Sequence, residues 1–295
     1  MAIEKIAVLG GGQMGSGIAE AAATAGVDVV LIKATPGPAD RARAGIEKNL
    51  GRQVDKGKIE QEHAEQVIGR IRFTDDLEAA SGADLLIESV VEDLDVKRDY
   101  FGRAASVLGP GAIFASNTST LKIGDMAAAS GRPERFIGLH FFNPAQLMKL
   151  VEVVPTEQTD PAVTEAAVEF VRAIGKTPVL VKDSTGFIVN RLLTPYMVDA
   201  IRCLEAGLAD VEGIDTAMHL GANHPMGPLA LADYIGLDIV QAMARNLCEN
   251  FGQQYMAPTP LLDRLVEAGH LGRKSGLGFY DYSGRPPVPN RDLPL

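Results

Sequence analysis

The stretch from Ile3 to Ile32 limits the fold more than any other part of the chain. Ile3–Leu9 (IEKIAVL) is rich in β-formers and stops at Gly10-Gly11-Gly12-Gln13-Met14-Gly15. Ile18–Ala25 (IAEAAATA) then has helical composition, and Val27–Ile32 (VDVVLI) is an apolar run of strand length. Strand, G-x-G-x-x-G, helix and strand in that order make one unit of a parallel sheet that cradles a dinucleotide. In this reading Gly10 permits the tight turn, Gly12 lets backbone approach a pyrophosphate, and Gly15 lets helix pack on strand. Gln13 and Met14 sit in the same turn, where the helix N-terminus supplies amide donors and a positive dipole end.

The second strand of such a unit commonly ends in an acid that holds the ribose hydroxyls of NAD. Here the position is Lys33, followed by Ala34 and Thr35. A lysine accepts no hydrogen bond, but it can pair with a 2′-phosphate, so NADP stands open beside a lysine that merely faces solvent. Pro38–Asp55 reads as a long basic helix and Gln61–Ile68 as another. The strand Asp84–Glu88 follows, with Glu88 and Glu92 flanking its end and Lys97 beyond. Ala112–Ser116 is a strand running into Asn117-Thr118-Ser119, small polar groups that either bind ligand or cap the next helix. Ligands of open α/β sheets lie outside the carboxyl ends of the strands, which places these residues near a cofactor. Phe136–Phe142, Leu150–Pro155 and Thr177–Val181 complete the strands.

Gly138–Val154 (GLHFFNPAQLMKLVEVV) sets His140 in one apolar run and Glu152 in the next, across a proline-containing turn. Histidine is the side chain suited to moving a proton near neutral pH, and a carboxylate within reach would fix its tautomer and stabilise the imidazolium. The plain alternative is a core histidine and an edge-strand glutamate.

After Asp183 the strands give way to helix after helix: Gly186–Glu205, with Pro195 expected to kink it, then Val211–Leu220, Pro228–Ile235, Leu237–Phe251 and Pro260–Ala268. Asn190 is a polar residue among Phe187, Ile188 and Val189, and the tail Leu271–Tyr280 is glycine-rich and basic, with Lys274 in it. The fold class is therefore α/β, an N-terminal Rossmann-type doubly wound sheet over residues 1–184 followed by an all-helical C-terminal domain over 185–295. The apolar faces of Gly186–Glu205 suggest a homodimer.

The 295 residues carry a formal net charge of −10, which argues against nucleic acid or an anionic membrane as partner. Against that background the basic stretch Arg41–Lys58 suits a small phosphorylated ligand. Cys203 and Cys248 have neither pairing nor metal spacing and read as buried residues of a reducing compartment. With no apolar run of membrane-span length, the expectation is a cytoplasmic protein without a metal.

Read as a whole, the chain resembles the 3-hydroxyacyl-CoA dehydrogenase family in its short, 3-hydroxybutyryl-CoA form. The resemblance rests on GGGQMGSGIA at Gly10–Ala19, ESVVED at Glu88–Asp93, SNTS at Ser116–Ser119, GLHFFNP at Gly138–Pro144 and KLVEVV at Lys149–Val154. It extends through DSTGFIVNRLL at Asp183–Leu193, HPMGPLALADYIGLD at His224–Asp238 and GHLGRKSGLGFYDY at Gly269–Tyr282. It implies His140 as general base toward a substrate 3-hydroxyl, Glu152 as its orienting partner, and Ser119 and Asn190 as holders of the substrate oxygens. It implies cofactor contacts at Gly10, Gly12, Gly15, Glu92, Lys97, Asn143 and Lys274, to which Gln13, Met14, Lys33 and Asn117 are added by position. Lys56 matches a lysine that contacts CoA phosphates, and Asn49 stands where the family usually has serine. Lys33 departs from the family's acid; the family favours NAD, and the lysine keeps NADP open. The implied substrate is an acyl-CoA of fatty-acid β-oxidation. An acyl-carrier-protein substrate is the nearest alternative, and a non-catalytic relative the next. A β-hydroxyacid dehydrogenase would need lysine four residues before Asn190, where this chain has Gly186.

Overall fold

A computed structural model describes residues 3–34 and 40–294. They form two compact units that meet between Ser184 and Thr185. Thr35 and the expected helix start at Pro38 lie outside the described residues.

The first unit opens with β1 (Lys5–Leu9), α1 (Gln13–Thr24) and β2 (Asp28–Ile32), followed by α2 (Asp40–Asp55), α3 (Gln61–Gly69) and β3 (Ile71–Thr74). Then come β4 (Leu85–Glu88), α4 (Leu94–Val107), β5 (Ile113–Ser116), a short α5 (Gly124–Ala127), β6 (Phe136–Phe141), β7 (Leu150–Pro155), α6 (Pro161–Ala173) and β8 (Thr177–Leu180). The eight strands make one sheet in the order β3-β2-β1-β4-β5-β6-β7-β8. The first six are parallel; β7 turns back antiparallel to β6, and β8 runs parallel to β7. Strand order reverses between β1 and β4, so their carboxyl ends open the crevice in which doubly wound sheets bind ligands. Ile6, Val8, Leu85, Ile87 and Ile113 are fully buried, as strands covered on both faces require.

Three features depart from expectation. β3 reads IRFT, too short and too polar at Arg72 to register as a strand, yet it pairs with β2 from Val29↔Ile71 to Ile32↔Thr74. Helix α1 begins inside the glycine turn, at Gln13, instead of at Ile18. The long helix of the second unit starts at Val189 because Gly186 (φ 75°) and Phe187 (φ 47°) adopt left-handed backbone that an α-helix cannot contain.

The second unit comprises α7 (Val189–Glu205, with Pro195 inside it), α8 (Val211–Gly221), α9 (Pro228–Ile235), α10 (Leu237–Phe251) and α11 (Pro260–Glu267). To these helices it adds one short ladder, β9 (Tyr280–Asp281) against β10 (Val288–Pro289). Two buried carboxylates tie this tail down. Asp215 accepts from Leu229 N, Ala230 N and the Tyr280 hydroxyl; Asp233 accepts from Phe279 N, Tyr280 N and the Tyr282 hydroxyl. Burial pushes the Asp233 carboxyl up to about 6 despite those donors. Cys203 and Cys248 are free thiols and half-buried, not fully buried. No helix among the described residues is long and apolar enough to cross a membrane.

Candidate active site

The glycines of the first turn divide by what the protein itself demands of them. Gly10 has φ 117°, and a Cβ there would be driven into the carbonyl of Ser89. A Cβ on Gly15 would be driven into the carbonyl of Gly10, which is how α1 comes to lie so close to β1. Gly12 is different: nothing lies within 4 Å of the Cβ it lacks. It is exposed, it precedes α1, and α1 has no side-chain cap at that end. An open Cα beside uncapped helix amides leaves room into which a pyrophosphate would fit.

Around this turn the structure gathers several predicted residues. Gln13 Nε2 donates to Asn143 Oδ1 at 2.9 Å, joining α1 to the turn after β6. Met14 packs on the core beneath. Lys33 is half-buried at the end of β2, its amide donating to Thr74 O and its Cγ 4.0 Å from where a Gly11 Cβ would stand. The stem of the Lys33 side chain thus lies beside the same glycine turn.

At the ends of β4 and β5 a buried polar chain shapes the segment that carries Ser119. Glu88, fully buried, accepts from Val90 N (2.7 Å), Lys97 Nζ (2.6 Å) and Ser116 Oγ (2.6 Å). Lys97, 1% exposed, also reaches Glu92 Oε2 at 3.1 Å. The other Glu92 oxygen gathers the turn, accepting from the Thr118 hydroxyl, Ser119 N (2.9 Å), Thr120 N (3.1 Å) and the Thr120 hydroxyl (3.0 Å). Burial opposes the charge of Glu92, but Lys97 and the donors from Thr118 and Ser119 outweigh it and hold the carboxyl below the usual range. Glu92 and Lys97 therefore already have protein partners. Asn117 does too: its amide donates to Ser89 Oγ and its oxygen accepts from Phe141 N, stapling the ends of β4 and β6.

His140 and Glu152 face each other directly across the β6–β7 ladder. Nδ1 lies 2.7 Å from Oε2, with the histidine 5% exposed and the glutamate 1% exposed. With the carboxylate ionised, Nδ1 carries the hydrogen and Nε2 is the basic nitrogen. The antiparallel turn-back of β7 is what allows two residues twelve apart in sequence to sit side by side.

Two other predicted residues of the first unit sit on α2 and just past its end. Asn49, on α2, donates to Glu20 Oε2 at 3.2 Å, and Gln53 adds a donor at 3.5 Å. Glu20 is 2% exposed, and burial pushes its carboxyl up to about 7, the Asn49 bond offsetting only part of that. Lys56 is exposed in the turn past α2, in line with the exposed Lys48 and Arg52 at every fourth position. In the second unit Asn190 is half-buried in the first turn of α7, and Lys274 pairs with Asp238 at 2.5 and 2.6 Å. No group of three His, Cys, Asp or Glu side chains among the described residues is arranged to hold a metal. Sequence reasoning passed over Lys176, a buried lysine beneath the Asn143 turn; a lysine after a glycine before a strand gives no signal of burial.

The chain matches the model of the 3-hydroxyacyl-CoA dehydrogenase NAD binding domain over residues 5–184 and that of the 3-hydroxyacyl-CoA dehydrogenase C-terminal domain over 186–282. It is 48% identical over 292 residues to a 3-hydroxybutyryl-CoA dehydrogenase of Bradyrhizobium diazoefficiens, covering 98% of this chain and 99% of that one. It is 44% identical over 288 residues to the mitochondrial hydroxyacyl-coenzyme A dehydrogenase of Homo sapiens, covering 95% and 91%. Among solved structures, M. tuberculosis FadB2 superposes with a TM-score of 0.93 at 46% identity, covering 96% of this chain and all of that one.

Proposed function

The chain belongs to the 3-hydroxyacyl-CoA dehydrogenase family, and from that premise we propose that it interconverts a (3S)-3-hydroxyacyl-CoA, such as 3-hydroxybutyryl-CoA, and the corresponding 3-oxoacyl-CoA. The observation that carries this reading is the buried His140–Glu152 pair at the carboxyl side of the sheet. A nicotinamide cofactor, when bound, takes the hydride from C3 or returns it. His140 Nε2 receives the 3-hydroxyl proton in oxidation and gives it back in reduction. Glu152 keeps the ring oriented and stabilises the imidazolium. Ser119 and Asn190 hold the substrate oxygens. Gly10, Gly12, Gly15 and the amides of Gln13 and Met14 hold the pyrophosphate; Asn143, Asn117, Glu92, Lys97 and Lys274 complete the cofactor contacts or shape them. Lys56, with Asn49 near it, holds the CoA phosphates. Residues up to 184 serve as the dinucleotide-binding domain and those from 185 as the substrate and dimerisation domain. Exposed Leu192, Leu208 and Leu220 on the second unit support a homodimer, and we place the enzyme in the cytoplasm.

A second reading concerns the cofactor. Lys33 offers the ribose hydroxyls no acceptor and offers a 2′-phosphate a cation, which favours NADP over the family's usual NAD. Reduction of acetoacetyl-CoA, followed with NADH and NADPH side by side, tests both readings. Faster turnover with NADPH assigns Lys33 to the phosphate, and faster turnover with NADH removes it from cofactor choice. Failure with both overturns the CoA substrate and points to a carrier-bound acyl group or to a non-catalytic relative.

A further inference from the structure

Lys176 lies between α6 and β8, is 7% exposed, and donates to Ala145 O at 2.6 Å and Met148 O at 2.7 Å. A lysine this deep ordinarily has a carboxylate beside it, because an unpaired charge loses its hydration on burial. No carboxylate pairs with Lys176 among the described residues; the nearby charge is another lysine, Lys149. Burial and that neighbour hold its ammonium below the usual lysine range. So costly an arrangement is explained by what it grips.

Both carbonyls belong to the turn of residues 143–149 that joins β6 to β7. The turn is folded on itself, with Leu147 N and Met148 N both donating to Pro144 O at 3.0 Å, and Thr177 N closes onto Lys149 O at 2.7 Å. On its other side the turn meets α1: a Cβ on Gly17 would stand 3.1 Å from Ala145 Cβ and 2.7 Å from Gln146 Oε1. Asn143, at the head of the turn, accepts from Gln13 of the glycine turn. One ammonium, with the Thr177 amide beside it, thus fastens the segment that leaves the His140 strand and packs against α1.

We propose that Lys176 is a positioning residue for the dinucleotide cradle, holding the 143–149 turn in the shape that sets Asn143 against Gln13. The proposal rests on the reading of Asn143 as a cofactor contact. It acts on cofactor affinity through Asn143, whereas His140 and Glu152 are held by the strand ladder and keep their geometry without it.

The test is a double-mutant cycle of Lys176→Met and Asn143→Ala on the full chain. Dissociation constants for the reduced cofactor come from calorimetry, kcat is taken at saturating cofactor, and folding is checked by circular dichroism. Each single variant is expected to raise the dissociation constant by about tenfold, with a much smaller fall in kcat. The double variant should be no weaker than the worse single, because both remove one device. Effects that multiply, or an unchanged constant in Lys176→Met beside a raised one in Asn143→Ala, overturn the proposal alone. An unchanged constant in Asn143→Ala overturns the reading of Asn143 and the proposal with it. Lys176→Gln, which retains a donor for one carbonyl, carries the same cycle if the methionine variant does not fold; its expected rise in the constant is smaller.

Discussion

Glu20→Gln should stabilise the protein at alkaline pH and leave it nearly unchanged in acid. Glu20 is buried between α1 and α2, and its carboxyl rises from 4.5 to about 7 on folding. Because the folded chain then binds this proton more tightly than the unfolded chain, the group's contribution is whole below about pH 4.5. It is lost as pH climbs through 7. At about 1.4 kcal/mol per unit, the wild-type chain forfeits on the order of 3 kcal/mol at pH 8.5 through this one group. At 2% exposure little solvent screening softens that cost. The variant's amide oxygen still accepts from Asn49, so the hydrogen bond survives while the charge does not. With a urea slope of about 3 kcal/mol per molar, the unfolding midpoint at pH 8.5 should rise by about 1 M, and at about pH 4 by almost nothing. Equal shifts at the two pH values, or a loss of stability at pH 8.5, would refute the reasoning and return Glu20 to an ordinary charged carboxylate.

The two open questions at the glycine turn separate cleanly. Gly12→Ala should leave the melting temperature within about 1 °C and weaken cofactor binding by tenfold or more, whereas Gly15→Ala should lower the melting temperature itself; calorimetry reads both. Glu152→Gln keeps an acceptor for His140 but not a counter-charge for the imidazolium, so kcat should fall by about 10²- to 10⁴-fold with the cofactor dissociation constant nearly kept. His140→Gln should fall at least as far. Lys33→Asp should raise the ratio of kcat/KM with NADH to that with NADPH by at least about tenfold; an unmoved ratio means the residue does not read the ribose.

How much of this could be read in advance follows from the range of the interactions concerned. The glycine turn is local chemistry, and Gly10 and Gly15 stand where their spacing put them. His140 and Glu152 were recognisable as types, but their pairing is a matter of strand register, which composition does not carry. β3 was hidden by its length and by Arg72, since pairing with β2 matters more there than propensity. The long helix starts three residues later than its apolar pattern because Gly186 and Phe187 are both left-handed, which nothing in their side chains announces. The inward duties of Glu92, Asn117 and Asn49 arise from contacts made after the chain has folded, and so does the burial of Lys176.

A pair set across two neighbouring strands has a parity. Slipping β7 by one residue past β6 would turn Glu152 to the opposite face, so the site has no halfway form. Residues can be added to or removed from the connecting turn without touching that parity, while one inserted within either strand abolishes it. Relatives or engineered variants are therefore free to differ in the length of that turn and still keep His140 opposite Glu152.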